Sequence, residues 1–175
     1  QPSLSRFRSP YAFRGLNRCS DGLETSLQRL VANAVQMEGH LLRNFRKYAG
    51  QDVVARDTIW HWLALAQHHG LPTRLFDWSY SPFVALHFAT SKLVNYDKDG
   101  AVWCINYREV KRFLPTELQT ALDCEGADVF TAEILFDVAP QLSALPKSEA
   151  DYFVFFEPPA ISARIVNQFA LFSFM

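Results

Sequence analysis

Gln67-His68-His69-Gly70-Leu71-Pro72-Thr73-Arg74-Leu75-Phe76-Asp77-Trp78-Ser79-Tyr80-Ser81-Pro82-Phe83-Val84-Ala85-Leu86-His87-Phe88-Ala89 is the stretch on which the reading of this chain turns. It opens on a helix stop: Gly70 suits a left-handed C-terminal cap, and Pro72 follows where a helix cannot continue. It closes on a helix start: Ser81 suits an N-cap, and Pro82 suits the first helical position, where its missing N–H is not needed. Two apolar helices therefore bracket a short polar connection, Gly70 to Ser79, which carries Thr73, Arg74, Asp77 and Trp78. Loops held on rigid, buried elements are where sites are usually built. Arg74 and Asp77 are equally suited to close the turn as a structural ion pair, and the residues alone leave both readings open.

Upstream, Asp57 or Thr58 caps a helix over Ile59–His69. Trp60, Trp62, Leu63, Leu65 and Ala66 make it apolar nearly all round, so it is expected at the centre of the fold. His68 and His69 fall in its last turn, where a cation complements the helix dipole; His69 is also a candidate pocket donor. A longer helix is expected over Thr25–Ala49, stopped by Gly50, because Leu27, Leu30, Val31, Ala34, Leu41, Leu42, Phe45 and Tyr48 recur at helical spacing. Glu38 falls on or near that apolar face. If buried it needs a partner, Arg14 or Arg74, because an isolated buried carboxylate costs several kcal/mol; otherwise it sits solvated at the rim. Tyr11-Ala12-Phe13-Arg14-Gly15 reads as a short strand. It either delivers the Arg14 guanidinium inward or leaves it at the surface.

Downstream, a third apolar helix is expected from Pro82 to about Val94, followed by a turn and a continuous apolar strand, Ala101–Tyr107, covered on both faces. Residues 108–150 carry weaker signals. Tyr152–Phe156 reads as a strand, Ile161–Gln168 as a short helix or turn with Arg164 and Gln168 on one side, and Leu171–Phe174 as a final strand. Strand, then helices, then mostly strands is an α+β order, with small mixed or antiparallel sheets and packed helices.

With 175 residues, 49% hydrophobic and 20% charged, the chain suits one domain with a substantial core. Residues 1–10 read as a loose segment and 11–175 as the domain, with the C-terminal end cut inside the apolar run Ala170–Met175. A net charge of −1 and no basic block argue against broad docking on nucleic acid or anionic membrane, while leaving room for a local anion pocket. No apolar run approaches the roughly 20 residues of a membrane span. Cys19, Cys104 and Cys124 are odd in number and widely spaced, which fits a reducing, cytoplasmic setting.

No phosphate-binding glycine loop, HExxH motif or metal-spaced His/Cys pair is present, so no metal is expected. What stands out is a set of polar residues introduced by apolar segments: Arg14, Glu38, His69, Arg74, Asp77 and Gln168. Arginine forks suit a diphosphate or carboxylate, and a carboxylate suits a developing cation.

Phe13-Arg14-Gly15, the helix with Glu38 and Leu41-Leu42, the His68–Trp78 run, Ser81-Pro82 and Arg164-Ile165-Val166-Asn167-Gln168-Phe169-Ala170-Leu171-Phe172 together resemble the FRG domain family over nearly the whole chain. More distantly, the aromatic-Arg-Gly strand resembles the opening of arginine-serine-glutamate type ADP-ribosyltransferases, with Ser79 and Ser81 loosely matching their serine strand end. The Ser-Thr-Ser and Gln/Glu-x-Glu motifs are missing; Gln168 or Asp77 is the candidate to replace the usual glutamate. The resemblance implies an ADP-ribosyltransferase-like fold and NAD as substrate.

Three readings follow. In the first, the domain consumes NAD as an ADP-ribosyltransferase or NAD glycohydrolase, a toxin or defence effector with a protein or nucleic-acid acceptor. Arg14, Glu38, Asp77 and Gln168 then carry the chemistry, and Gly15, His69, Thr73, Arg74, Trp78 and Ser81 line the substrate. In the second, the same residues bind a nucleotide or nucleic-acid end without turnover. In the third, the charged residues form a buried network, and function lies on another domain.

Overall fold

The computed structural model describes residues 9–30, 34–49 and 54–175. Strand β1 (Tyr11–Leu16) leads to helices α1 (Ala34–Ala49) and α2 (Ile59–His68), strand β2 (Phe76–Ser79) and helix α3 (Pro82–Thr90). Then come β3 (Ala101–Asn106), α4 (Tyr107–Lys111), α5 (Thr116–Cys124), β4 (Phe130–Thr131), α6 (Ala132–Val138), β5 (Val154–Glu157), α7 (Ala163–Asn167) and β6 (Ala170–Phe174). The strands form one six-stranded sheet in the order β3-β1-β2-β6-β5-β4. All neighbours run antiparallel except β4 and β5, which are parallel. The α+β expectation holds, with a single mixed sheet.

Alternation along the strands sends side chains to two cores. On one face Phe156, Phe172 and Phe174 pack with α2, where Trp60 stacks on Phe174 at 5.2 Å between ring centroids. The Trp60 indole N–H is satisfied by the Ala139 carbonyl at 2.8 Å, so this large ring is buried without an unpaired donor. On the other face Phe76, Trp78, Phe155 and Leu171 form a smaller cluster. Each such buried side chain contributes about 1.5–3 kcal/mol, so these clusters hold the central strands rigid.

The connection Gly70–Ser79, expected as a polar loop, ends instead as β2 near the middle of the sheet. Phe76 and Trp78 are buried while Asp77 between them is exposed, the period-2 pattern of a strand. Of the expected helix Thr25–Ala49, α1 spans Ala34–Ala49. Thr25 and Gln28 cap one another, the Gln28 N–H donating to Thr25 Oγ1 at 3.1 Å and the Thr25 N–H to Gln28 Oε1 at 2.8 Å. That reciprocal cap starts only the turns at 26–30. Val31 and the Gly50 stop lie outside the described residues. So does the loose start, except that residues 9 and 10 are tied down: Tyr107 donates its N–H to Pro10 O at 3.0 Å and its hydroxyl to Ser9 O at 3.3 Å.

Helix α3 stops at Thr90, with a separate 3-10 turn at Leu93–Asn95. Its apolar sequence suits a buried helix, yet only Ala85 is buried, and Phe83 is 80% exposed. The helix lies against β1, and Gly15 lets it do so: a Cβ there would stand 1.9 Å from the Ala85 carbonyl oxygen. Of the rest of the helix, Val84 and Ala89 are half-buried and the other side chains are exposed. Strand β3 was expected to be covered on both faces; as an edge strand it leaves Val102, Trp103 and Cys104 exposed, and Tyr107 starts α4 behind an Asn106 cap.

Candidate functional site

The end of α2 sets the site. Gly70 takes the left-handed conformation, φ +80°. Its N–H donates to Gln67 O at 3.0 Å, and Leu71 N–H donates to Ala66 O at 2.9 Å. This paired closure reverses the chain and starts it towards β2. Thr73 is fully buried; its hydroxyl donates to Gln67 Oε1 at 2.5 Å and accepts from Leu75 N–H at 3.0 Å. Gln67 in turn donates through Nε2 to Asp77 Oδ2 at 2.9 Å. The Asp77 carboxylate is therefore oriented by a helix-end glutamine that is itself fixed by Thr73.

Strands β1 and β2 share a single register pair, Phe13 with Ser79. Next to it, Arg14 Nη1 donates to the Asp77 carbonyl at 2.6 Å and lies 4.0 Å from Asp77 Oδ2. The guanidinium also sits 5.6 Å from the Phe76 ring centroid. Arg14 Nε is buried and has no hydrogen-bond partner among the described residues. Burial pushes the Arg14 pKa down; Asp77 opposes the shift and Arg29 adds to it. A buried guanidinium with an unfilled donor is a place for an anionic oxygen.

On the far side, Ser79 Oγ donates to the Gln168 carbonyl at 2.6 Å and accepts the Ser81 N–H at 3.0 Å. These bonds join β2, the start of α3 and the α7–β6 turn. The result is a cleft of ≈ 1120 Å³ whose lining includes Arg14, His69, Asp77, Arg164 and Gln168. Among the described residues its charged groups are Arg14, Arg29, Lys92 and Arg164 against the single carboxylate of Asp77, with His68 and His69 beside them. Burial, with help from His69 and Arg164, pushes the His68 pKa down. The cleft is a cationic surface in a chain whose net charge is −1.

Glu38 and Arg74 make a second centre. Glu38 Oε2 accepts from Arg74 Nε at 2.6 Å and Oε1 from the Arg74 N–H at 2.8 Å, with Glu38 1% exposed. The pairing expected of Glu38 is with Arg74. It pins the turn before β2 and lines a separate cleft of ≈ 760 Å³.

The structure thus brings together Arg14, Gly15, His69, Asp77 and Gln168, and draws Glu38 and Arg74 away into their own pair. Thr73 is internal. Trp78, expected to line the substrate, does line the cleft, while at 4% exposure it packs in the core and donates its indole N–H to Ser173 Oγ at 2.8 Å. Ser81 occupies the N-cap position but makes no side-chain cap bond, and it is not among the cleft residues. Sequence reasoning missed Gln67, Arg29 and Lys92. Gln67 was the findable one, because it ends the helix immediately before the decisive run. Arg29 and Lys92 are surface-type residues in turns, with no periodic signal to mark them.

Among the described residues no group of three or more His, Cys, Asp or Glu side chains is arranged to hold a metal, and no helix is long and apolar enough to cross a membrane. The family model described as FRG domain matches residues 9–98, which run from the start of β1 past α3. No curated protein and no solved structure matches the chain.

Proposed function

The chain belongs to the FRG domain family, and from that premise we propose that its cationic cleft binds NAD and cleaves the nicotinamide–ribose bond. The observation that carries this reading is Arg14, a buried guanidinium with an unfilled Nε beside the exposed Asp77 carboxylate. Arg14 binds the diphosphate through its remaining donors. The Asp77 side chain, 60% exposed and aimed by Gln67, stands against the ribose. As the C1′–N bond breaks, its electron pair leaves with nicotinamide and neutralises the ring. The positive charge left on the ribosyl carbon is stabilised by Asp77, the demand that carboxylates meet in glycoside hydrolysis. Water or an acceptor hydroxyl then adds to that carbon and releases its proton. Gln168, at the cleft wall, positions that nucleophile.

A domain with this activity acts as a toxin or defence effector, and its three exposed free cysteines suit a reducing, cytoplasmic compartment. A second reading, nucleotide binding without turnover, is favoured by one observation: among the described residues the cleft holds a single carboxylate, because Glu38 is committed to Arg74. Calorimetry with NAD and chromatographic detection of nicotinamide, with and without cell lysate as a source of acceptor, separate the two. Binding with release supports the enzyme; binding without release under both conditions leaves the module. A folded, monodisperse protein that does neither overturns both.

A further inference from the structure

Within the cleft, the positive charges come from four segments of the chain: Arg14 on β1, Arg29 in the turns at 26–30, Lys92 just after α3 and Arg164 on α7. Arg29 acts on Arg14, and Arg164 acts on His68. Arg29, Lys92 and Arg164 have no ion-pair partner among the described residues. Asp77 balances only one of the four cations, which leaves an excess of three. Like charges gathered without counterions oppose one another, and a ligand that supplies the missing anions binds there. A dinucleotide diphosphate supplies only part of them, since the cationic nicotinamide ring cancels one of its charges. The volume, ≈ 1120 Å³, lies just above the usual range for small-molecule clefts, about 300–1,000 Å³, and leaves room for a further group.

We propose that Arg164 forms an anion subsite additional to Arg14, and that the preferred ligand is a dinucleotide bearing an additional phosphomonoester. This rests on the reading of the cleft as a dinucleotide site. Arg164 is the lead because its planar fork matches a phosphomonoester, because it lies on α7 whereas Arg14 lies on β1, and because it lines the cleft together with Gln168. Lys92 supplies longer-range attraction from the end of α3.

The test is calorimetry of the whole chain with NAD and with its 2′-phosphorylated form at fixed ionic strength. The phosphorylated form should bind roughly tenfold or more tightly, the worth of one charge-assisted contact. Arg164→Gln should erase that preference while changing NAD affinity by less than about threefold, and Arg164→Lys should restore part of it. Arg164 is exposed and its main-chain bond to Gln168 N–H is untouched by these changes, so the fold should stand, checked by an unchanged melting curve. Equal affinity of the wild type for both dinucleotides overturns the inference, as does an Arg164→Gln loss shared equally by both. If the preference is present but no nicotinamide is released, the subsite stands and the NAD-cleavage reading falls. If nicotinamide is released equally well from both with equal affinity, that reading stands and the subsite falls.

Discussion

Arg14 approaches Asp77 more closely through the backbone than through the carboxylate: Nη1 is 2.6 Å from the Asp77 carbonyl oxygen and 4.0 Å from Oδ2. The arginine thus closes the gap between two strands that share one register pair, and it does so without tying up the carboxylate. Structure and proposed chemistry make different demands on the same side chain. Arg14→Lys keeps the charge but loses the planar fork. It should weaken NAD binding by about tenfold or more while leaving the melting temperature within a few degrees. Arg14→Ala should abolish binding and cost about 1–2 kcal/mol, since the Asp77 carbonyl loses its donor. Calorimetry and urea unfolding on each variant check this; equal affinity of Arg14→Lys and wild type goes against a bidentate contact.

The Glu38–Arg74 pair predicts a stability effect with little change in binding. Glu38 is 1% exposed and accepts both the side chain and the main-chain N–H of Arg74. Glu38→Gln leaves the Arg74 guanidinium without its counter-charge and should cost about 3 kcal/mol in urea unfolding. Because Arg74 lines the other cleft, any affinity loss for NAD should be small in the fraction that remains folded. An unchanged unfolding midpoint would show that the pair contributes nothing net.

Two glycines give opposite expectations. A Cβ on Gly15 meets the Ala85 carbonyl at 1.9 Å and Ala89 N at 2.7 Å, both backbone atoms that cannot swing aside. Gly15→Ala should destabilise by about 2–3 kcal/mol as α3 is pushed off β1. Gly39, inside α1, has nothing within 4 Å of an added Cβ, so Gly39→Ala should stabilise by about 0.5–1 kcal/mol. Thermal melts of the two variants check both signs. The comparison explains the glycine of the Phe-Arg-Gly run as a packing requirement.

What could be read from the sequence followed from local signals. The Gly70 stop and the α2 run are nearest-neighbour physics, and both stand as expected. That Glu38 needs an arginine followed from its place on an apolar face; choosing Arg74 over Arg14 needed three dimensions. β2 was missed because Asp77 and Ser79 disguise a four-residue strand whose burial comes from β6 alongside it. α3 was misjudged because an apolar helix gives no sign that its neighbour is an edge region of the sheet. The separation of Arg14 from Arg74 into different clefts is a tertiary fact, with seven residues of reversed chain between the end of α2 and β2 to decide it.

Acid should weaken the fold through His61. It is 3% exposed; Nδ1 lies 2.8 Å from Thr58 Oγ1 and Nε2 lies 3.4 Å from Glu133 Oε1. Burial pushes its pKa below the ordinary histidine value; Glu133 opposes this and Arg56 adds to it. The unfolded chain therefore binds a proton at His61 more readily than the folded one. This stabilisation is complete above the ordinary histidine range, about pH 6.5, and is lost as pH falls through the lower folded value. Urea midpoints measured from pH 7.5 to 5 should fall, and His61→Gln should flatten that part of the curve. A wild-type profile that is flat or rises with acid removes His61 from the account.

Asp77→Asn isolates chemistry from binding. The amide retains an oxygen for the Gln67 N–H, so the side chain should keep its orientation, and Arg14 keeps its bond to the backbone carbonyl. What disappears is the negative charge, which matters most as the glycosidic bond breaks and positive charge grows on the ribose. NAD affinity should change by less than about threefold, in either direction, because a ground-state nucleotide with its own negative charge gains little from a nearby carboxylate. Nicotinamide release should fall by about a hundredfold or more, the scale of losing one electrostatic contact made mainly in the transition state. Single-turnover chromatography, run beside calorimetry on the same preparation, reads the two effects separately. Parallel loss of binding and release would assign Asp77 to positioning Arg14 and Gln67, and the carboxylate that stabilises the ribosyl cation would have to come from outside this cleft.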